Sequence, residues 1–116
     1  MNKGWHTLTV KQEASGEFIA ETAIDPDSFW FNGHFPGMPI LPGIAQLAMI
    51  GETLGLSGVT RPVTRFSKVR FRRLIRPGDA IRISITPDAE KPGSYRFKAD
   101  ANGRAAITGA LETEQE

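Results

Sequence analysis

Apolar and polar residues alternate along most of the chain, and the alternation breaks once, near the middle, into an apolar run of helical length. Residues Trp5 to Glu13 and Glu17 to Ile24 alternate with a period of two (Trp5, Thr7, Thr9; Phe18, Ala20, Thr22) around Ser15-Gly16, a pattern that predicts a β-hairpin. Ile40 to Leu56 is the helix candidate: Pro42 suits a first helical turn and Gly55 can end the element. Nearly every position of "IAQLAMI" is apolar, whereas a surface helix shows a polar face, so the pattern predicts a buried helix. Strands follow. Val63 to Leu74 places Phe66, Lys68, Arg70 and Arg72 on one parity and Ser67, Val69, Phe71 and Arg73 on the other. Pro77-Gly78-Asp79 turns, "AIRISIT" alternates, "KPGS" turns, "YRFKADA" alternates, and Asn102-Gly103 is the strongest hairpin signal before a last strand from Arg104 to Glu112. A hairpin, one helix and four antiparallel strands predict an α+β domain in which the sheet wraps the helix.

Between hairpin and helix lies "FWFNGHFPGMPILPG", Phe29 to Gly43. Each proline fixes its own φ and biases the preceding residue toward extended geometry, so His34 sits on a stiff, non-helical segment. A histidine has an unperturbed pKa suited to moving protons near neutrality. Taken alone, a histidine in such a turn more often makes a purely structural hydrogen bond to backbone.

Length and composition narrow the field. At 116 residues, positions 1–116 are expected to form one domain with one core. Without cysteine there is no disulfide scaffold, thiol catalysis or thiolate metal site, and no metal or cofactor is expected. No signal-peptide stretch and no run long enough to cross a bilayer is present, so the expectation is a cytoplasmic protein. Net charge is only +1, yet Arg61, Arg65, Lys68, Arg70, Arg72, Arg73 and Arg76 place 7 of the 14 Lys and Arg in sixteen residues, with no Asp or Glu between Glu52 and Asp79. Such a field attracts an acidic partner. Nucleic acid is not expected, because the chain lacks a helix-turn-helix, a zinc site or an aromatic stacking platform.

"FNGHFPGMPILPG" followed by a helix, with "VRFRRLIRPGDAIRI" about thirty residues later, resembles the signature stretches of the hot-dog-fold (3R)-hydroxyacyl-acyl-carrier-protein dehydratases, FabZ and FabA. The likeness runs from Glu17 to Glu112. "PGIAQL" further resembles a FabZ-like branch found with aryl polyene and other specialised acyl-chain pathways. The resemblance implies a hot-dog fold and elimination of water from a β-hydroxyacyl thioester in fatty-acid or related biosynthesis. His34 matches the catalytic histidine, and Gly43 the glycine whose N–H binds the developing oxyanion at a helix amino terminus. Phe35, Pro42, Gln46 and Ala48 fall at substrate-contacting positions. Acyl carrier proteins are strongly acidic, so the resemblance also implies docking on Lys68, Arg70, Arg72, Arg73 and Arg76.

One position departs from the family. Its acid, Glu or Asp, lies fourteen residues after the histidine and reaches the active site of the other subunit of a dimer; this chain has Ala48 there, and an acid returns as Glu52, one helical turn on. Three readings stay open: Glu52 is the relocated acid, Gln46 positions a water or substrate group in another reaction, or the site binds acyl thioesters without dehydrating them. The functional alternatives are accordingly a hot-dog thioesterase and a non-catalytic acyl-thioester-binding subunit. Phe29, Trp30, Phe31, Phe35, Met38, Ile40, Leu41, Ile44 and Leu47 supply apolar surface for an acyl tunnel. An exposed sheet edge invites pairing, and the family's continuous dimer sheet implies a homodimer or higher homo-oligomer.

Overall fold

A computed structural model describes residues 9–13, 16–23 and 41–114 of the chain. The elements are β1 (Thr9–Gln12), β2 (Phe18–Ala23), α1 (Gly43–Leu56), β3 (Val63–Phe71), β4 (Ala80–Pro87), β5 (Ser94–Ala101) and β6 (Arg104–Thr113). All six strands form one antiparallel sheet in the order β1-β2-β4-β5-β6-β3. The α+β architecture, with one helix packed on β2 and β4, agrees with the hydropathy pattern.

The core grows from the alternation. Ile81, Ile83 and Ile85 of β4 are buried, as are Phe97, Ala99 and Ala101 of β5, and between them Arg82 and Lys98 point to solvent. Met49, Ile50 and Leu54 close this layer from the helix side. Phe97 lies opposite Gly109 on β6, where a Cβ would come within 2.6 Å of its ring; the glycine makes room for the ring to lie across the strand. Phe66 meets Phe97 edge-on at 5.9 Å, which ties β3 into the same layer.

Strand β3 corrects the parity read from sequence. Its register with β6 shifts between Ser67 and Arg70, where Lys68 adopts φ 56°. A bulge at this point inserts one unpaired residue, so Phe66 and Val69, three apart, both pack toward the core. The strand also stops at Phe71 rather than Leu74, and the N–H groups of Arg72 and Arg73 instead donate to the Ala106 carbonyl at 2.7 and 3.3 Å. Asn102 and Gly103 have φ of 53° and 83°, the two positive values a tight primed hairpin requires. Asp79 of the "RPGD" turn accepts from the Arg76 N–H at 2.9 Å and from Asn102 Nδ2 at 3.1 Å, joining that turn to the β5–β6 hairpin.

Two expectations for the helix are corrected. Its termination falls to Gly58 at φ 101°, with Gly58 N–H bonded to Gly55 O and Val59 N–H to Leu54 O, the closing pattern that a left-handed residue after the helix permits. Nor is the helix buried on all sides: Ile44, Ala48, Gly55 and Leu56 are exposed.

Candidate active site

Pro42 is the residue before the first helical turn, not within it: φ −62° and ψ 152° are extended, and its carbonyl accepts from Ala45 N–H at 3.1 Å and Gln46 N–H at 3.2 Å. The N–H groups of Gly43 and Ile44 have no acceptor among the described residues, and the first turn holds no acidic residue. Two unpaired donors at the positive end of a fourteen-residue helix form a ready place for developing negative charge. The position is held from both sides. Leu41 N–H donates to the carbonyl of fully buried Ile75 at 2.7 Å, and the Leu41 carbonyl accepts from Gln46 Nε2 at 3.1 Å.

Gly43 also answers a packing demand. A Cβ there would come within 2.8 Å of Phe71 Cζ, so the bare backbone lets the Phe71 ring lie against the helix start. Phe71 is 54 % exposed, so its ring lies against Gly43 at the surface. Sequence reasoning missed Phe71, because the bulge at Lys68 changes which way the residues after it face.

The remaining helix positions divide between two faces. Gln46, Met49, Ile50, Thr53 and Leu54 are buried against the sheet. Ala48 is exposed and Glu52 half-buried, on the opposite side with Ile44, at spacings of four and eight residues. Glu52 follows Gly43 by nine positions, about 13.5 Å along the axis, and Ala48 by five, about 7.5 Å. A carboxylate on this face therefore cannot meet a carbonyl held at Gly43 of the same helix.

The basic stretch does not make one surface. Arg72, Arg73 and Arg76 line an open depression of about 610 Å³ together with Leu74, Asp79 and Arg104. Arg104 joins them because the Arg72 and Arg73 backbones bond to Ala106, two residues away on β6; only the hairpin geometry reveals it. Lys68 lines a different depression with Arg65, Lys91 and Arg96, alongside Asp88 and Glu112, while Arg70 borders neither. Of the five docking residues expected, three share one depression and two do not.

Ile44 is 71 % exposed and Leu41 sits in the core, so of the apolar residues assigned to a tunnel Ile44 does not line an interior one. His34 and Phe35 lie outside the described residues, as do the other tunnel candidates from Phe29 to Ile40. Among the described residues no three His, Cys, Asp or Glu side chains gather as a metal site requires, and no helix is long and apolar enough to cross a membrane.

Comparison with known proteins returns one consistent picture. A family model described as ApeI-like, ApeI dehydratase, matches residues 10–110. The FabZ 3-hydroxyacyl-[acyl-carrier-protein] dehydratase of Oenococcus oeni is 32% identical over 113 residues, covering 88% of this chain and 81% of its own. The corresponding enzyme of Chloroflexus aggregans is 28% identical, covering 92% and 77%. Among solved structures, the dehydratase heterocomplex ApeI:P from Xenorhabdus doucetiae superposes with a TM-score of 0.81 at 27% identity, covering 92% of this chain and 95% of that one.

Proposed function

The chain belongs to the ApeI-like family of FabZ-like hot-dog dehydratases, and from that premise we propose that its substrate is a (3R)-hydroxyacyl thioester presented by an acyl carrier protein. The observation that carries this reading is the pair of N–H groups on Gly43 and Ile44 that have no acceptor among the described residues. As a base removes the α-proton, negative charge grows on the thioester oxygen, and these donors meet it without reorganisation. His34 is the base. The C–H electron pair forms the new double bond, the bond from the β-carbon to the hydroxyl oxygen breaks, and a proton from an acid completes the departing water. Glu52 is that acid, delivered from a neighbouring protomer, since the two groups cannot meet on one helix.

The protomer is built to associate. β3 ends the sheet, and Ile44, Phe71 and Leu74 expose apolar surface around the helix start. Pairing between two copies would form a homodimer. A second reading rests on Ala48: with no carboxylate at the family's position, the acid comes from a non-identical hot-dog chain, as the name of the Xenorhabdus doucetiae heterocomplex suggests for that protein. Arg72, Arg73, Arg76 and Arg104 border this surface and offer an acidic carrier protein its complement.

Incubating the purified protein with a 3-hydroxyacyl thioester and weighing the products separates the reactions. Loss of water from the acyl group, abolished by His34→Ala in a variant that still folds, is the expected result. Release of free thiol would indicate a thioesterase, no change a binding subunit, and an unimpaired His34→Ala would remove the histidine from the mechanism.

A further inference from the structure

The turn that presents Gly43 holds a buried polar group whose hydrogen-bonding capacity is half used. Gln46 is 4 % exposed. Its Nε2 is committed to the Leu41 carbonyl, which places the carboxamide against the amino terminus of α1 and settles which of its ends is the oxygen. That oxygen, Oε1, is buried and has no hydrogen-bond partner among the described residues. Buried acceptors in folded proteins are nearly always satisfied, and an orphan calls for a donor from elsewhere. The bond to Leu41 also stops the amide from rotating away to find one. Two donors, on Gly43 and Ile44, and one acceptor, on Gln46, without partners among the described residues, thus fall within a single helical turn.

A ligand that satisfies all of them carries a carbonyl oxygen and, close to it, a hydroxyl or amine hydrogen. A 3-hydroxyacyl thioester has both, with the hydroxyl one carbon beyond the α-carbon. We propose that Gln46 recognises the substrate's 3-hydroxyl, its Oε1 accepting the hydroxyl hydrogen while the first-turn N–H groups take the thioester carbonyl. The inference rests on the acyl-thioester reading and adds a specificity residue to it. Bonding the hydroxyl hydrogen turns that oxygen's lone pairs toward an incoming proton, so the interaction orients the leaving group as well as selecting it. The enoyl product has no such hydrogen, and the site that held the substrate releases it more readily.

The test compares stable pantetheine amides, in which an amide replaces the thioester, carrying 3-hydroxyacyl, 3-fluoroacyl and saturated acyl groups of one chain length. Fluorine matches the hydroxyl in size and donates nothing. By titration calorimetry the wild-type protein is expected to bind the hydroxyacyl amide about ten- to a hundredfold more tightly than either analogue, the scale on which a buried group gains its missing partner. Gln46→Met should bring the three affinities within about threefold by weakening the hydroxyacyl amide alone. That variant also loses the bond to Leu41 and can fail to fold. The wild-type ratio of hydroxyl to fluorine needs no variant and decides the matter by itself. Equal binding of all three by the wild-type protein overturns the role of Gln46, a buried water then being the partner, and leaves the acyl-thioester reading standing. Binding of none overturns both.

Discussion

The sheet-facing and outward sides of α1 are both apolar in sequence, yet they meet different surroundings. On the inner side Met49, Ile50 and Leu54 are at most 1 % exposed, packed on the isoleucines of β4. On the outer side Ile44 is 71 % exposed, Ala48 is exposed, and the one ionisable residue of the helix, Glu52, stands half-buried among them. An apolar residue declares that something covers it without declaring what. Here the protomer's own sheet covers one side and leaves the other exposed. The chemistry divides along the same line, with the donors of Gly43 and the acceptor of Gln46 on the protomer's own side and Glu52 facing away.

The largest effect expected tests that division. If Glu52 serves the site of a neighbouring protomer, Glu52→Gln should slow dehydration by about two to four orders of magnitude while binding of a product-like acyl thioester barely changes. Mixing this variant with His34→Ala sharpens the point, because mixed dimers contain one site with both intact groups and so recover activity that neither variant shows alone. Single-turnover assays of each variant, then of the mixture after subunit exchange, supply the measurement. A silent Glu52→Gln together with a gain from Ala48→Glu would reject the relocated acid and favour a non-identical partner chain.

Next in size is the difference in stability between the two faces. Ile50→Ala removes buried methylene groups from a filled layer and should cost about 2–5 kcal/mol, whereas Ile44→Ala should change the stability of the protomer itself by less than about 0.5 kcal/mol. The second substitution should instead lower the concentration at which protomers stay associated. Urea unfolding at two protein concentrations separates these outcomes, because unfolding coupled to dissociation has a concentration-dependent midpoint, and Ile44→Ala should weaken that dependence whereas Ile50→Ala should lower the midpoint and keep it. Similar losses for both variants, independent of concentration, would show that the outer face is covered within the chain.

How much of this was legible in the sequence follows from which forces are local. Strand alternation, the Asn102-Gly103 hairpin and the approximate helix are set by residues within a few positions of one another, and the structure agrees on all three. The bulge at Lys68 is not, since it arises from fitting Phe66 and Val69 to one core while β6 runs past at fixed spacing. That one inserted residue moved Phe71 to the helix start and split the basic stretch, neither of which periodicity can foretell. Uniform apolarity in "IAQLAMI" predicts burial on every side, because sequence does not distinguish a core from an exposed apolar face. The half-satisfied amide of Gln46 needed coordinates as well: glutamine was singled out by its position, but its unused oxygen is a matter of geometry. His34, central to the reading, stands on the motif and lies outside the described residues.

The smallest effect concerns what surrounds the outward face. Arg72, Arg73, Arg76 and Arg104 gather in one depression with Leu74, whereas Arg65 and Lys68 lie in the other, with Asp88 and Glu112 nearby. If the outward face around the helix start is where an acidic carrier protein lands, charge at the first cluster should speed encounter and charge at the second should not. Reversing Arg72 and Arg73 to Glu should lower kcat/KM on a carrier-bound substrate by about tenfold and on a short coenzyme-type thioester by less than about twofold, since rim charges act mainly through association rate. Reversing Arg65 and Lys68 should leave both substrates nearly alike. Salt provides the internal control: screening beyond about 10 Å at 0.1 M ionic strength should shrink the gap between wild type and the Arg72, Arg73 variant as salt rises. Equal losses on both substrates would assign these arginines to the fold, and equal effects from the two pairs would return the basic stretch to one undivided surface.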